Sequence, residues 1–182
     1  MNAAGKILRQ TVPVLFLCTL FELFAGGILE SMKEKFVLLP GLLVMIPPLV
    51  DLRGNIGSAL ASRLGTALHL GIVKPKLAMT RALKTNILSS LILSVLGSIT
   101  VWLLSCFLCL LMDLQGVSLL CLLFIATFSA VVSGILITFT TVLLSIISYR
   151  RGWDPDNITG PVMTTLGDIF TFFSILLAVV IW

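Results

Sequence analysis

Charge is scarce in this chain. Of its 182 residues, 11% are Asp, Glu, Lys or Arg, while 58% are hydrophobic. Average soluble domains are roughly 25% charged. So little charge cannot cover a surface that faces water, which excludes an ordinary soluble domain. A basic stripe is missing as well. The net charge is +4, but the basic residues flank apolar runs and do not line one face, which argues against nucleic acid as a partner. A cleavable signal is missing: Lys6 and Arg9 precede an apolar stretch, yet that stretch carries Glu22 and no clear small-residue cleavage site follows. The CxxC pair of Cys106 and Cys109 has no second CxxC to complete a metal or redox site. With Cys18 and Cys121, these read as small apolar residues on lipid-embedded helices. There is no sign of a soluble domain, a low-complexity tail or an internal repeat.

What the chain does have is long apolar runs. A spanning helix needs about 20 mainly apolar residues. Five such spans are expected, giving an all-α membrane protein. The first runs over about Val12 to Leu29, with Pro13 in its first turn, where proline is tolerated. The second runs from near Phe36 toward Leu70 and is too long for one straight crossing. Pro47-Pro48 and Gly54 are expected to break it. The third covers about Asn86 to Met112, the fourth about Ser118 to Ser148, and the fifth about Asn157 to Trp182.

Loop charge sets the orientation. Lys6, Arg9, Lys74, Lys76, Arg81, Lys84, Arg150 and Arg151 all fall on one side of a five-span arrangement. The other side has Lys33 and Lys35 mixed with Glu30 and Glu34, then Asp113. The N-terminus is therefore expected in the cytoplasm and the C-terminus outside, in a multi-pass protein of the cell membrane. Lys74 to Lys84 reads equally well as a short basic surface helix or as a positive-inside loop. Residues 1–182 read as a single five-helix transmembrane domain with no soluble regulatory domain.

An ionisable residue inside a span costs roughly 3 kcal/mol at the centre and marks a functional site by default. Asp168 is the sharpest case, about 15 Å into the last span at 1.5 Å per residue. Thr164 and Thr171 share its helical stripe. Asp51 and Asn55 are spaced i, i+4 and share a face beside Gly54. Arg53 or Arg63 is a candidate structural partner for either acid. Glu22 could serve a pore or bond a neighbouring helix. His69 reads as an interfacial side chain, and Arg63 as one that snorkels to the boundary. Asp154-Pro155-Asp156-Asn157 opens the fifth helix, where these residues cap it or gather a cation at a mouth.

Leu49-Val50-Asp51-Leu52-Arg53-Gly54-Asn55, with Leu60-Ala61-Ser62-Arg63-Leu64 and Thr66, resembles the second-helix signature of the MgtE-type magnesium transporters. Asp154-Pro155-Asp156-Asn157, then Pro161, Thr165, Leu166, Gly167 and Asp168, resembles their fifth-helix signature. The pattern is most similar to the eukaryotic solute-carrier branch. The resemblance implies a five-helix unit that pairs into a dimer, with the second and fifth helices lining a central pore. It implies that Asp168 is the acid around which hydrated magnesium sits, and that Gly54 and Asn55 form pore wall. The bacterial members carry a large magnesium-sensing region before the first helix, and the eukaryotic ones carry two tandem copies of the unit. This chain has one, so a homodimer would supply the second.

The expected function is thus a divalent cation transporter or channel, with Mg2+ as the pore-bound, transported ion. Its metal-contacting residues are expected among Asp168, Asp51, Asn55, Gly54, Thr164, Asn157 and Asp156. Magnesium takes near-octahedral oxygen ligands and keeps much of its water, which suits carboxylates, amides and carbonyls. Two rival classes stand beside this. One is an intramembrane metal-dependent lipid-modifying enzyme, which needs several clustered carboxylates. The other is an accessory subunit of another transporter.

Overall fold

The computed structural model describes residues 3–116 and 118–182, without the side chains of residues 3, 4, 6 and 156. Six helices follow in order: α1 (Ala3–Ser31), α2 (Lys33–Leu38), α3 (Leu42–His69), α4 (Arg81–Leu111), α5 (Leu119–Arg150) and α6 (Pro155–Ile181). Four of them, α1, α4, α5 and α6, are long and apolar enough to cross a membrane. The 28-residue α3 is as long as these but carries Asp51, Arg53 and Arg63 within its length.

The bundle is apolar outside and partly polar inside. Leu23, Phe24, Leu110 and Leu120 are each about 70% exposed or more, whereas Ser90, Ser94, Ser98 and Ser133 are almost fully buried. On α4 the buried positions are Leu83, Ser90, Ser94, Ser98, Ser105 and Cys109, a stripe of mostly small residues on one face. Water would reverse this arrangement, and lipid selects it. Lipid gives no hydrophobic drive between helices, so they associate through small residues that let backbones approach. The buried hydroxyls are largely satisfied within their own helices: Ser129, Ser133 and Thr141 donate to the carbonyls of Ile125, Ser129 and Ile137.

Helix α6 packs on α1, α3 and α5, while α4 packs on α3 and α5. Two apolar clusters close the ends of the bundle. One joins Met32, Leu42, Met45, Leu49, Ile125 and Ile175. The other joins Leu60, Leu64, Leu83, Val142 and Ile146. Along α3, Asp51, Arg53 and Asn55 lie between Leu49 of the first cluster and Leu60 of the second. Asn157 donates to Gln10 at 3.1 Å, so the starts of α1 and α6 lie together. His69 meets Tyr149 edge-on with centroids 5.3 Å apart, so the ends of α3 and α5 lie together.

The second span differs from expectation in where it is broken. Helix α3 runs straight through Pro47, Pro48 and Gly54. The interruption lies earlier, at Leu39-Pro40-Gly41, between α2 and α3. Pro40 pushes Leu39 out of the helical region, to φ −123° and ψ 80°. Gly41 then takes φ 89°, a left-handed conformation that glycine adopts without penalty. With the chain already turned there, Pro47 and Pro48 are accommodated inside a continuous helix. Their cost falls on the carbonyls of Leu43 and Val44, which lose their usual helical donors.

One smaller expectation also changes, and one open alternative narrows. Pro13 lies inside α1, not in a first turn, because the helix already begins at Ala3. Residues 71–80 form a loop and not a short basic helix. That loop ends at Thr80, whose hydroxyl accepts from Leu83 N at 3.2 Å and caps α4. Ser118 caps α5 likewise, accepting from Cys121 N at 3.4 Å.

Candidate ion site

Asp168 stands at the midpoint of α6, about 20 Å from either end at 1.5 Å per residue. Together with Asp51, Gly54, Asn55 and Thr164 it lines one cavity of about 430 Å³. Pro47, Val50, Ile46, Leu29 and Phe172 complete the wall. Helical spacing explains the grouping. Asp51 and Asn55 sit i, i+4 on α3, while Thr164, Asp168 and Phe172 sit i, i+4, i+8 on α6. Thr171 is not part of this stripe. It is fully buried and donates to Gly167 O at 2.6 Å.

The two helices approach closely at Gly54 and Gly167. A Cβ on Gly167 would lie 3.2 Å from the backbone nitrogen of Gly54 and 3.4 Å from the carbonyl carbon of Arg53. This contact sets Asp168 against the Asp51–Asn55 turn. Asn55 donates its amide to Asp51 Oδ2 at 2.8 Å, which leaves the Asn55 carbonyl oxygen to accept a hydrogen bond or face a cation. Thr164 donates to Pro161 O at 2.7 Å, so its oxygen lone pairs also remain available. Glu22 on α1 comes within side-chain hydrogen-bonding reach of Asp168, and Asp51 is close enough to repel it. Carboxylates so placed repel one another unless a cation or proton lies between them.

Among the described residues, no three His, Cys, Asp or Glu side chains converge tightly enough to hold a bare metal ion. The cavity offers scattered oxygen atoms around open space, an arrangement that can hold an ion through its own water. Asn157 is elsewhere, on the first turn of α6, bonded to Gln10. The side chain of Asp156 lies outside the described residues.

Neither arginine pairs with the acids. Arg63 donates to Ser90 Oγ at 3.3 Å. Arg53 is 1% exposed and donates from Nη2 to Ser94 O on α4 at 3.2 Å. Its Nε and Nη1 have no partner among the described residues. Such a buried, half-bonded charge is costly, and replacing buried ionic groups by apolar ones of similar volume is often neutral or stabilising by about 1–4 kcal/mol. Arg53→Met is therefore expected to raise the melting temperature of the purified protein. A marked fall would mean that internal water or an ion satisfies the guanidinium.

The cavity helices lie within the reach of a known family. The model of a family described as divalent cation transporters, MgtE, matches residues 46–178, well over half of the chain. The chain belongs to the MgtE family. Its members are transporters and not enzymes, and this one is a multi-pass membrane protein. It is similar to solute carrier family 41 member 3 of Rattus norvegicus, at 28% identity over 169 residues, 90% of this chain and 36% of the relative. The protein of the same name from Mus musculus is 28% identical over 134 residues, 71% of this chain and 27% of the relative. The chain thus spans about a third of the length of the curated relatives it matches. No solved structure matches it.

Proposed function

We infer that this MgtE-family protein conducts magnesium across a cell membrane along a path lined by α3 and α6, with Asp168 as the central acid. The observation that carries this reading is the convergence of Asp51, Asn55, Thr164 and Asp168 on one cavity at mid-height of the bundle. Magnesium binds six near-octahedral oxygens and dehydrates reluctantly. Six waters at about 30 Å³ each occupy about 180 Å³, less than the cavity of about 430 Å³. Asp168 and Asp51 would contact such an ion through its water, with the Asn55 carbonyl and Thr164 hydroxyl as further acceptors. Gly54 would act as wall, letting α6 come close. Asn157 and Asp156, at the start of α6, would gather cations at the mouth.

In this reading α3 is the fifth crossing helix. At 28 residues it spans about 42 Å, more than the roughly 30 Å of hydrocarbon. Its start lies with the end of α1 and its end with the basic loop, as a crossing requires. The positive-inside bias then puts the N-terminus in the cytoplasm and the C-terminus outside.

A second copy completes the path. Asp51, Asn55 and Thr164 are exposed on the flank of a single bundle, at a depth where polar side chains must face protein or water. A homodimer that joins these flanks would cover them and bring two Asp168 carboxylates to one axis. Inward movement of a divalent ion gains about 4.6 kcal/mol per 100 mV of membrane potential, so uptake needs no other energy source.

The test is flux through purified protein in proteoliposomes, over a panel of divalent cations, with and without a sodium gradient. Magnesium uptake that scales with an imposed negative-inside potential is expected. Absence of flux for every divalent ion would overturn the reading. Flux restored only by an added partner protein would assign this chain an accessory role instead.

A further inference from the structure

A second cavity lies away from the ion site, between α4, α5 and the loop that joins α3 to α4. It is a cleft of about 320 Å³ lined by Leu77, Met79, Leu83, Ile87, Ile135 and Thr138, among others. That volume is at the low end for ligand sites, which run from roughly 300 Å³ upward. Its lining is almost wholly apolar, and its outer residues Ile135 and Phe139 are 54% and 65% exposed on the flank of the bundle.

Three observations say what would fill it. The first is charge. The loop that forms one wall also carries Lys74 and Lys76, and the first turn of α4 carries Arg81 and Lys84. No acidic residue lies between positions 74 and 84. All four basic side chains are exposed, and none makes an ion pair among the described residues. The loop thus presents cations and the apolar wall residues Leu77 and Met79 side by side. Those two are each 64% exposed, as suits a segment lying on a bilayer.

The second observation is that the wall is fixed. Val73, at the start of the loop, is 1% exposed and donates its backbone N–H to Ala67 O at 3.1 Å. Thr80 pins the other end as the cap of α4. The third is a buried hydroxyl. Thr138 is 4% exposed, and its Oγ1 has no hydrogen-bond partner among the described residues. Its neighbours Thr140 and Thr141 donate back to the carbonyls of Leu136 and Ile137 in the ordinary way. An acceptor inside the cleft would satisfy the Thr138 hydroxyl, and a buried polar group left unpaired is otherwise destabilising.

We propose that this cleft is a binding site for one anionic phospholipid of the leaflet that faces the basic loop. An acyl chain occupies the apolar groove between α4 and α5. An ester carbonyl accepts from Thr138. The negatively charged headgroup lies under Lys74, Lys76, Arg81 and Lys84. The site is independent of the ion path, so it stands whether or not magnesium is the transported ion.

The test is lipid binding to the full purified chain, followed by native mass spectrometry, with phosphatidylserine, phosphatidylcholine and cholesterol as probes. The wild type should bind phosphatidylserine in preference to the other two. Each basic residue near an anionic membrane contributes enough to change affinity about fivefold. Neutralising Lys74, Lys76 and Lys84 to Gln should therefore weaken phosphatidylserine binding by about a hundredfold and leave phosphatidylcholine binding unchanged. Ile135→Trp, which fills the groove from its lipid-facing side, should displace the lipid with all charges in place. Thr138→Val should weaken it without altering the headgroup preference. Unchanged phosphatidylserine binding in either the charge variant or Ile135→Trp overturns the proposal. So does a wild-type preference for phosphatidylcholine or cholesterol.

Discussion

Replacing Asp168 with Ala is expected to abolish divalent cation flux in proteoliposomes while leaving the bundle folded. The carboxylate is half-buried at the middle of α6, and among the described residues the charged groups that act on it are themselves acids, Glu22 and Asp51. It therefore holds no arginine in place, and its removal relieves repulsion between acids while giving up the contact with Glu22. Stability should hold or rise slightly. Flux should not survive. A hydrogen bond to a charged group contributes about 1.5–3 kcal/mol, so losing the anion that meets the hydrated ion weakens binding by roughly tenfold to a hundredfold or more. If two copies face one axis, the loss is doubled in free energy. Asp168→Asn separates charge from shape. It keeps an acceptor oxygen and the side-chain volume, yet flux should fall nearly as far as in the Ala variant. Asp168→Glu should restore part of it. Flux of Asp168→Ala within a factor of a few of the wild type would mean that the ion passes elsewhere.

Much of this site was legible in the sequence because a membrane makes polar residues conspicuous. Asp168, Asp51 and Asn55 stand out in apolar runs, and helical spacing alone groups Asp51 with Asn55 and Asp168 with Thr164. The same spacing, applied strictly, rules out Arg53, one of the two candidate partners for Asp51. Arg53 is two residues on, about 200° around the helix, so it leaves α3 on the opposite face. It ends at Ser94 O on α4, away from the cavity. Thr171 fails for a similar reason. It is seven residues from Thr164, but the cavity follows the i+4 row to Phe172.

The break in the second span was misplaced because proline is the louder signal. Pro47 and Pro48 remove donors but leave φ compatible with a helix, whereas Pro40 acts on the residue before it and Gly41 supplies the positive φ. The serine stripe of α4 was visible as Ser90, Ser94 and Ser98 at intervals of four. It gives a weak signal, because a helix that is apolar on its outside and small on its inside shows little contrast in hydropathy. Glu22 stands out as an acid within a span, but its approach to Asp168 has no local signature, since it depends on how α1 docks against α6.

That docking logic makes Gly167 a sensitive position outside the polar residues. Gly54 and Gly167 face each other across the α3–α6 contact, and they are not equivalent. A Cβ on Gly54 would meet Thr164 Cγ2 at 3.4 Å and Thr164 Cα at 3.5 Å, which is ordinary van der Waals contact. A Cβ on Gly167 would meet backbone first, with Gly54 N at 3.2 Å and Arg53 C at 3.4 Å. Backbone cannot rotate away as a side chain can, so α3 and α6 must separate by a few tenths of an ångström. Alanine inside a helix gains about 0.8–1 kcal/mol over glycine. Gly54→Ala should therefore be as stable as the wild type or more so, with flux largely retained. At Gly167 that gain is set against about 1–3 kcal/mol of overpacking, so Gly167→Ala should melt at a lower temperature than Gly54→Ala. Its effect on flux should exceed its effect on stability, because the shift moves Asp168, the next residue, away from Asp51 and Asn55. Gly167→Val adds two methyl groups to the same backbone contact and should lose flux altogether. Melting curves and flux measured on the three variants decide the matter. Equal tolerance of alanine at both glycines would show that the α3–α6 contact does not set the geometry of the path.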